Sequence, residues 1–187
     1  MKLNSKMTLM LVALVCALPV AASYATFYFW PPEKQMNYGQ LLEPTPIPPG
    51  AMTPMAGFKF DPESLEGHWV LVYVGASHCD HQCRESLYYM RQVRTALGKE
   101  MSRVKRLWLV TDDGRPDAEI LQGQDGLEVA HGDAAWLNKL AKDGAPATGR
   151  VHVVDPLGLV MLRYPEQLEP KRMVRDLERL LKYSRVG

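Results

Sequence analysis

At 187 residues the chain is long enough for one domain with its own core plus an appendage. Its 22 basic and 21 acidic residues leave a formal net charge of +1, so the basic excess of a nucleic-acid binder is absent. Three cysteines are too few for a disulfide scaffold, yet enough for one functional pair with Cys16 left over.

Lys2 and Lys6 precede an uncharged apolar run from Met7 to about Trp30. A bilayer span needs about 20 such residues, so residues 1–30 are expected to hold a cytoplasmic amino terminus and a transmembrane anchor. Tyr24 to Trp30 supplies an aromatic belt for the far interface. Ala21-Ala22-Ser23 would suit a signal-peptide cut, but the apolar run continues past it, which favours a retained anchor. Val15, not a small residue, stands before Cys16 and argues against lipid attachment there. Residues 31–57 carry Pro31, Pro32, Pro44, Pro46, Pro48, Pro49 and Pro54, a composition expected to form an extended tether. Met36, Met52 and Met55 lie in it as soft-metal donors or, more simply, as incidental contacts with the domain.

The globular domain is expected over 58–187. Phe58-Lys59-Phe60 reads as a short edge strand and Asp61 to Gly67 as a turn. Trp69 to Val74 is almost continuously apolar, as a strand buried on both faces should be. Gly75-Ala76-Ser77 breaks it, and His78-Cys79-Asp80-His81-Gln82-Cys83 follows. From Arg84, the spacing of Leu87, Met90, Val93 and Leu97 predicts a helix that stops near Gly98. Leu107 to Val110 forms a second strand and ends in Thr111-Asp112-Asp113-Gly114-Arg115-Pro116-Asp117. Asp133 can cap a helix carrying Leu137 and Leu140. Val151–Val154 and Leu159–Leu162 read as a hairpin turning at Asp155-Pro156-Leu157-Gly158. An amphipathic helix from Glu169 to Tyr183 closes the chain, with Met173, Leu177, Leu180 and Leu181 inward. This order predicts an α/β, thioredoxin-like layer sandwich behind a transmembrane helix.

Two cysteines four apart, between a strand and a helix start, make either a thiol-redox pair or a soft-metal site. On a regular helix, Cβ atoms at that spacing lie about 5–6 Å apart, whereas a disulfide wants roughly 3.5–4.5 Å. A bridge therefore needs Cys79 to sit in the loop ahead of the helix. Two thiolates holding a cuprous ion relax that demand. The helix start favours thiolate, while Asp80 opposes it with negative charge. His78 reaches an ion only if the loop curls back, and His81 points away from the cysteines' shared face. His152, alternating with Val151 and Val153, faces opposite to them.

Leu65 to Cys83 resembles the core of the Sco/SenC family, membrane-tethered thioredoxin-like proteins that assemble the copper centre of cytochrome c oxidase. The Thr111–Asp117 loop, Gly132-Asp133 and the Asp155–Gly158 turn keep the family's order, and the resemblance covers about 58–183. It implies copper ion as the bound metal and Cys79 and Cys83 as redox pair and copper ligands. The implied setting is the periplasmic side of a bacterial inner membrane. The implied partners are a copper-site subunit of the oxidase or other assembly factors. The family's third ligand, a histidine, falls by spacing near Pro146-Ala147-Thr148, where this chain has none; His152 is the candidate substitute. A metal-free thiol–disulfide oxidoreductase and a non-catalytic binding module remain the alternatives. Pro146, five residues ahead of Val151, is off the usual place of the proline that faces a thioredoxin pair, which weighs against the first.

Overall fold

The computed structural model describes residues 5–29, 37–141 and 144–184. Lys2, Trp30, and the expected tether's residues 31–36 with Pro31, Pro32 and Met36 lie outside the described residues. The chain divides into two units between residues 36 and 37.

The first unit holds α1 (Ser5–Phe29). Within it Lys6–Phe29 is 24 residues long and apolar enough to cross a membrane, giving about 36 Å of helix at 1.5 Å per residue. Every side chain from Lys6 to Phe29 is exposed, an arrangement that water disfavours and hydrocarbon accepts. Pro19 lies inside the helix, a residue that membrane helices tolerate better than soluble ones.

The second unit is a seven-stranded sheet in the order β1-β7-β6-β3-β4-β5-β2. Its strands are β1 (Gln40–Pro46), β2 (Met52–Pro54), β3 (Trp69–Gly75), β4 (Val104–Val110), β5 (Leu127–Gly132), β6 (Arg150–Val154) and β7 (Leu159–Arg163). β3, β4 and β5 run parallel, and the remaining pairings are antiparallel. Helices α2 (Pro62–Leu65), α3 (His81–Ala96), α4 (Ala118–Leu121), α5 (Ala134–Leu140) and α6 (Pro170–Tyr183) complete it. This is the expected thioredoxin-like α/β sandwich.

Strand parity builds two cores. Trp69, Leu71 and Tyr73 of β3 pack with Leu87 and Met90 of α3, Leu177 of α6 and Trp108. Val70, Val72 and Val74 turn the other way, onto Leu107, Leu109, and Trp136, Leu137 and Leu140 of α5. β3 is buried at every position because it lies between β6 and β4 with helices on both faces. α5 begins where expected, with the Asp133 side chain accepting from the Trp136 amide at 2.8 Å. The hairpin and the closing helix also form, and Met173, Leu177 and Leu181 are buried.

Three expectations change. The proline-rich stretch is not all tether: from Gln40 it supplies β1, paired to β7, and β2, paired to β5. Both are the sheet's outer strands, where a missing N–H is tolerated. Pro44 falls in a register break between Leu41 and Thr45, and Pro46 and Pro54 end their strands. Phe58-Lys59-Phe60 is no strand; one bond, from the Val129 amide to the Lys59 carbonyl, ties it to β5. Asp61 then caps the short α2 in place of an open turn. β5 itself was not among the expected strands, because Glu128, His131 and Gly132 interrupt its apolar signal. Glu128 is explained by its partners, the Asp61 amide and the Ser64 hydroxyl.

Candidate functional site

The loop that carries Cys79 is fixed before the cysteine is reached. At the carboxyl end of β3, Gly75 lies under the Tyr73 ring; a Cβ there would come within 2.7 Å of it. The neighbouring strand supplies the clamp. The Thr111 amide donates to the Gly75 carbonyl at 3.1 Å, and the Asp112 carboxylate accepts from the Ser77 amide at 3.1 Å and the Gly114 amide at 3.1 Å. Burial alone would raise the Asp112 pKa, but the bonds from Ser77 and Gly114 outweigh it and hold the carboxyl below its usual range. Gly114 is needed for this approach, since a Cβ there would overlap the Ser77 hydroxyl. Asp112 thus does more than shape its own turn.

Cys79 comes next, still in the loop. Asp80 is the N-cap of α3, its carboxylate accepting from the Cys83 amide at 2.9 Å, and Cys83 lies in the helix's first turn. That staggering removes the helical constraint on the pair. The Cα atoms of Cys79 and Cys83 are 5.1 Å apart and the two residues are disulfide-bonded, within the usual range for a bridge. The Arg84 Nε–H donates to the Cys79 carbonyl at 3.2 Å. Cys79 is 2% and Cys83 3% exposed, so a partner reaches the sulfurs through a narrow opening or after the loop moves. Cys16 is free and exposed on α1.

Tyr73 shares the core cluster of the cysteines. Burial, with the Asp80 charge as a smaller cause, pushes its hydroxyl up to about 12, so it stays protonated at any physiological pH. The Gln82 side chain reaches the Gly149 carbonyl at 3.4 Å, and the Gly149 amide donates to Val74 at 2.8 Å. These bonds bring the turn before β6 against the start of α3. The place where the resemblance sets a third copper ligand, Pro146-Ala147-Thr148, lies just ahead of Gly149; it offers no imidazole, and Ala147 packs into the α5-side core. No peptide bond among the described residues is cis, that of Pro146 included.

His152 is elsewhere. In the β3–β6 register it pairs with Val72, and in the β6–β7 register with Arg163. Directly paired residues project to the same face, and Val72 belongs to the α5 side, whereas Cys79 and Cys83 belong to the α3–α6 side. The sheet stands between them, so His152 is not the third donor that the resemblance suggested. The ring is 1% exposed, and neither nitrogen has a hydrogen-bond partner among the described residues. Burial, followed by the charges of Arg163 and Arg150, drives its pKa down to about 3. A weak contact with the Arg150 backbone, the smallest of the causes, opposes this.

His78 and His81 are exposed beside the pair. His131 lies 3.8 Å from the Asp113 carboxylate, and His68 meets the Glu66 carbonyl. Among the described residues no three His, Cys, Asp or Glu side chains converge as a metal site. Met52 starts β2, and Met55 packs against the α3–α6 core as a domain contact. The donor set that the fold assembles is two sulfurs, against the three ligands implied for copper. Asp112, Arg84, Gln82 and Tyr73 complete the site; only Asp112 carried a sequence signal, as an aspartate just past a strand end.

The family model described as the transmembrane-like, thioredoxin-like C-terminal domain matches residues 69–184. No curated protein matches the chain. Among solved structures, apo Sco1 from Thermus thermophilus is similar at 20% identity and TM-score 0.58, over 77% of this chain and 96% of that one. Copper-bound ScoI from Bradyrhizobium japonicum is similar at 22% identity and TM-score 0.50, over 75% and 99%. The thioredoxin domain of a Bacteroides vulgatus thiol-disulfide oxidoreductase is similar at 17% identity and TM-score 0.52, over 74% and 98%. At these identities the likeness is one of fold, and both a copper-bound protein and a thiol-disulfide oxidoreductase share it.

Proposed function

The chain belongs to the transmembrane-like, thioredoxin-like C-terminal domain family, and from that premise we propose a membrane-tethered, Sco-like factor in cytochrome c oxidase assembly. It keeps the cysteines of an oxidase copper site reduced by thiol–disulfide exchange through Cys79 and Cys83. The observation that carries this reading is the bridged pair itself, one sulfur in a loop and one at a helix start, with no cluster of three His, Cys, Asp or Glu side chains among the described residues. The apolar stretch Lys6–Phe29 supports a single-pass anchor, and Lys6 ahead of it supports an orientation with the domain on the periplasmic side of a bacterial inner membrane.

The chemistry balances within the two proteins. Cys79, ahead of the helix, attacks one sulfur of the target disulfide as thiolate; a mixed disulfide forms and the other target sulfur leaves as thiolate and takes a proton. Cys83 then attacks the Cys79 sulfur, the Cys79–Cys83 bond forms, and the second target thiol is released. Two electrons pass to the target. A dithiol donor at the membrane restores the pair.

The test is transfer itself. The reduced full chain, mixed anaerobically with an oxidised copper-site domain of the oxidase, should yield two target thiols per Cys79–Cys83 bridge formed. Cys83→Ser should stop the reaction at a mixed disulfide. No transfer and no trapped adduct would overturn the reading.

Copper delivery is the second reading. It is favoured by the same two sulfurs, which once reduced suit a cuprous cargo ion, and by the fold shared with copper-bound ScoI. In this chain Cys79 and Cys83 alone would hold the ion. A one-to-one cuprous complex that is lost in Cys79→Ser supports it.

A further inference from the structure

We propose that the reduction potential of the Cys79–Cys83 pair is set by two opposed charges held on the pair's own backbone, the Asp80 carboxylate and the Arg84 guanidinium. The inference rests on the thiol-exchange reading. Each charge is fixed by a hydrogen bond to a cysteine main-chain atom: Asp80 accepts from the Cys83 amide at 2.9 Å, and the Arg84 Nε–H donates to the Cys79 carbonyl at 3.2 Å. Both residues are exposed, so solvent screens the charges in part, but these bonds hold each one against the pair.

Their action is one-sided. The disulfide carries no charge, whereas the reduced pair carries thiolate character, so a nearby charge shifts only the reduced state. A carboxylate there disfavours reduction and makes the pair a stronger electron donor. A guanidinium does the reverse. Asp80 also occupies the Cys83 amide, a helix-terminal donor that would otherwise stabilise a thiolate. Other groups near the turn are Tyr73, neutral on the shared core, the Asp112 carboxylate, bonded to the Ser77 and Gly114 amides, and the exposed His78 and His81; all stay unchanged when the Asp80 and Arg84 charges are removed.

Two substitutions separate charge from structure. Asn caps a helix about as well as Asp, so Asp80→Asn removes the charge and keeps the cap; Arg84→Gln removes the opposite charge. The readout is the equilibrium of the full chain in detergent with a glutathione buffer at pH 8, resolved by alkylation and peptide mass so that Cys16 does not contribute. Asp80→Asn should favour the reduced pair roughly three- to tenfold, a rise of about 14–30 mV at 29.6 mV per tenfold. Arg84→Gln should shift the equilibrium the other way, about two- to fivefold, and the double variant should return towards wild type. Shifts of the same sign would mean that both residues merely brace the loop and would overturn the inference, as would no shift from Asp80→Asn while the couple stays intact. Absence of any reversible couple in the wild type would bring down the thiol-exchange reading, and this inference with it.

Discussion

Two ionisable side chains buried on opposite faces of the sheet, Asp176 and His152, are treated in opposite ways. On the α3–α6 face Asp176, 3% exposed, accepts from the Tyr38 amide at 3.1 Å and the Gly39 amide at 2.9 Å. On the α5 face His152, 1% exposed, has no hydrogen-bond partner among the described residues and stands beside Arg163. A buried charge is kept only where it is paired, and a buried imidazole without partners is kept by staying neutral. The face with the disulfide also fastens the start of the domain to α6, through Asp176 and through the Tyr38 hydroxyl, which donates to the Gln167 carbonyl and accepts from the Glu169 amide. On the histidine's face the polar ties run through other side chains: Glu128 accepts from the Asp61 amide and the Ser64 hydroxyl, and Arg163 donates to the Ala145 carbonyl and the Gln40 side chain.

The largest expected effect lies on the first face. Replacing both Cys79 and Cys83 by Ser should abolish thiol transfer completely while the fold survives, with about 2 kcal/mol of stability lost with the short loop they close. Denaturant unfolding and thiol counting check the two halves. Full support of oxidase assembly by this double variant would instead favour a passive binding module. Asp176→Ala comes next: two charge-assisted bonds to amides disappear, so about 2–3 kcal/mol should be lost. Hydrogen exchange should show Tyr38 and Gly39 unprotected before the rest of the sheet.

His152 gives a pH-dependent effect of similar size. Its folded pKa of about 3 lies below the ordinary 6.5, so the ring takes up a proton on unfolding. Its contribution to stability is therefore fully present above about pH 6.5 and is lost as pH falls towards 3. At pH 5 this amounts to about 2 kcal/mol relative to neutral pH, at 1.36 kcal/mol per pH unit. His152→Leu should flatten that part of the stability–pH curve and leave stability at pH 7 equal or higher. A curve that keeps its slope would contradict the buried neutral ring. Smallest is Asp112→Ala, which frees the Ser77 and Gly114 amides at a partly exposed site and should cost about 1 kcal/mol.

How much of this was legible in the sequence follows the same division. The strand before Cys79, the Asp155–Gly158 turn and the amphipathic closing helix were readable because each rests on local pattern, whereas the helix expected from Arg84 begins at His81 and takes in Cys83. Strand parity also showed that His152 faces away from Val151 and Val153. Which of those faces carries the cysteines was not readable, since it depends on the pairing of β6 with β3 and on the side of the sheet that α3 crosses. β1 was hidden for a different reason. Pro44 and Pro46 signal a tether in a sequence, and only an edge position beside β7 makes them compatible with a strand. The Asp112–Ser77 clamp spans 35 residues, beyond the reach of any local pattern. A resemblance can carry a ligand set across; it cannot carry the register that decides which side of the sheet a residue takes.

The central claim is that the site's chemistry resides in Cys79 and Cys83, with His152 apart from it. The most direct measurement is an anaerobic cuprous titration of the reduced full chain, wild type against His152→Leu, read at the thiolate-to-copper charge-transfer band. The account predicts superimposable curves, with whatever copper binds held by the sulfurs and lost in Cys79→Ser. A one-to-one complex in the wild type that weakens tenfold or more in His152→Leu would place the imidazole at the metal and contradict it.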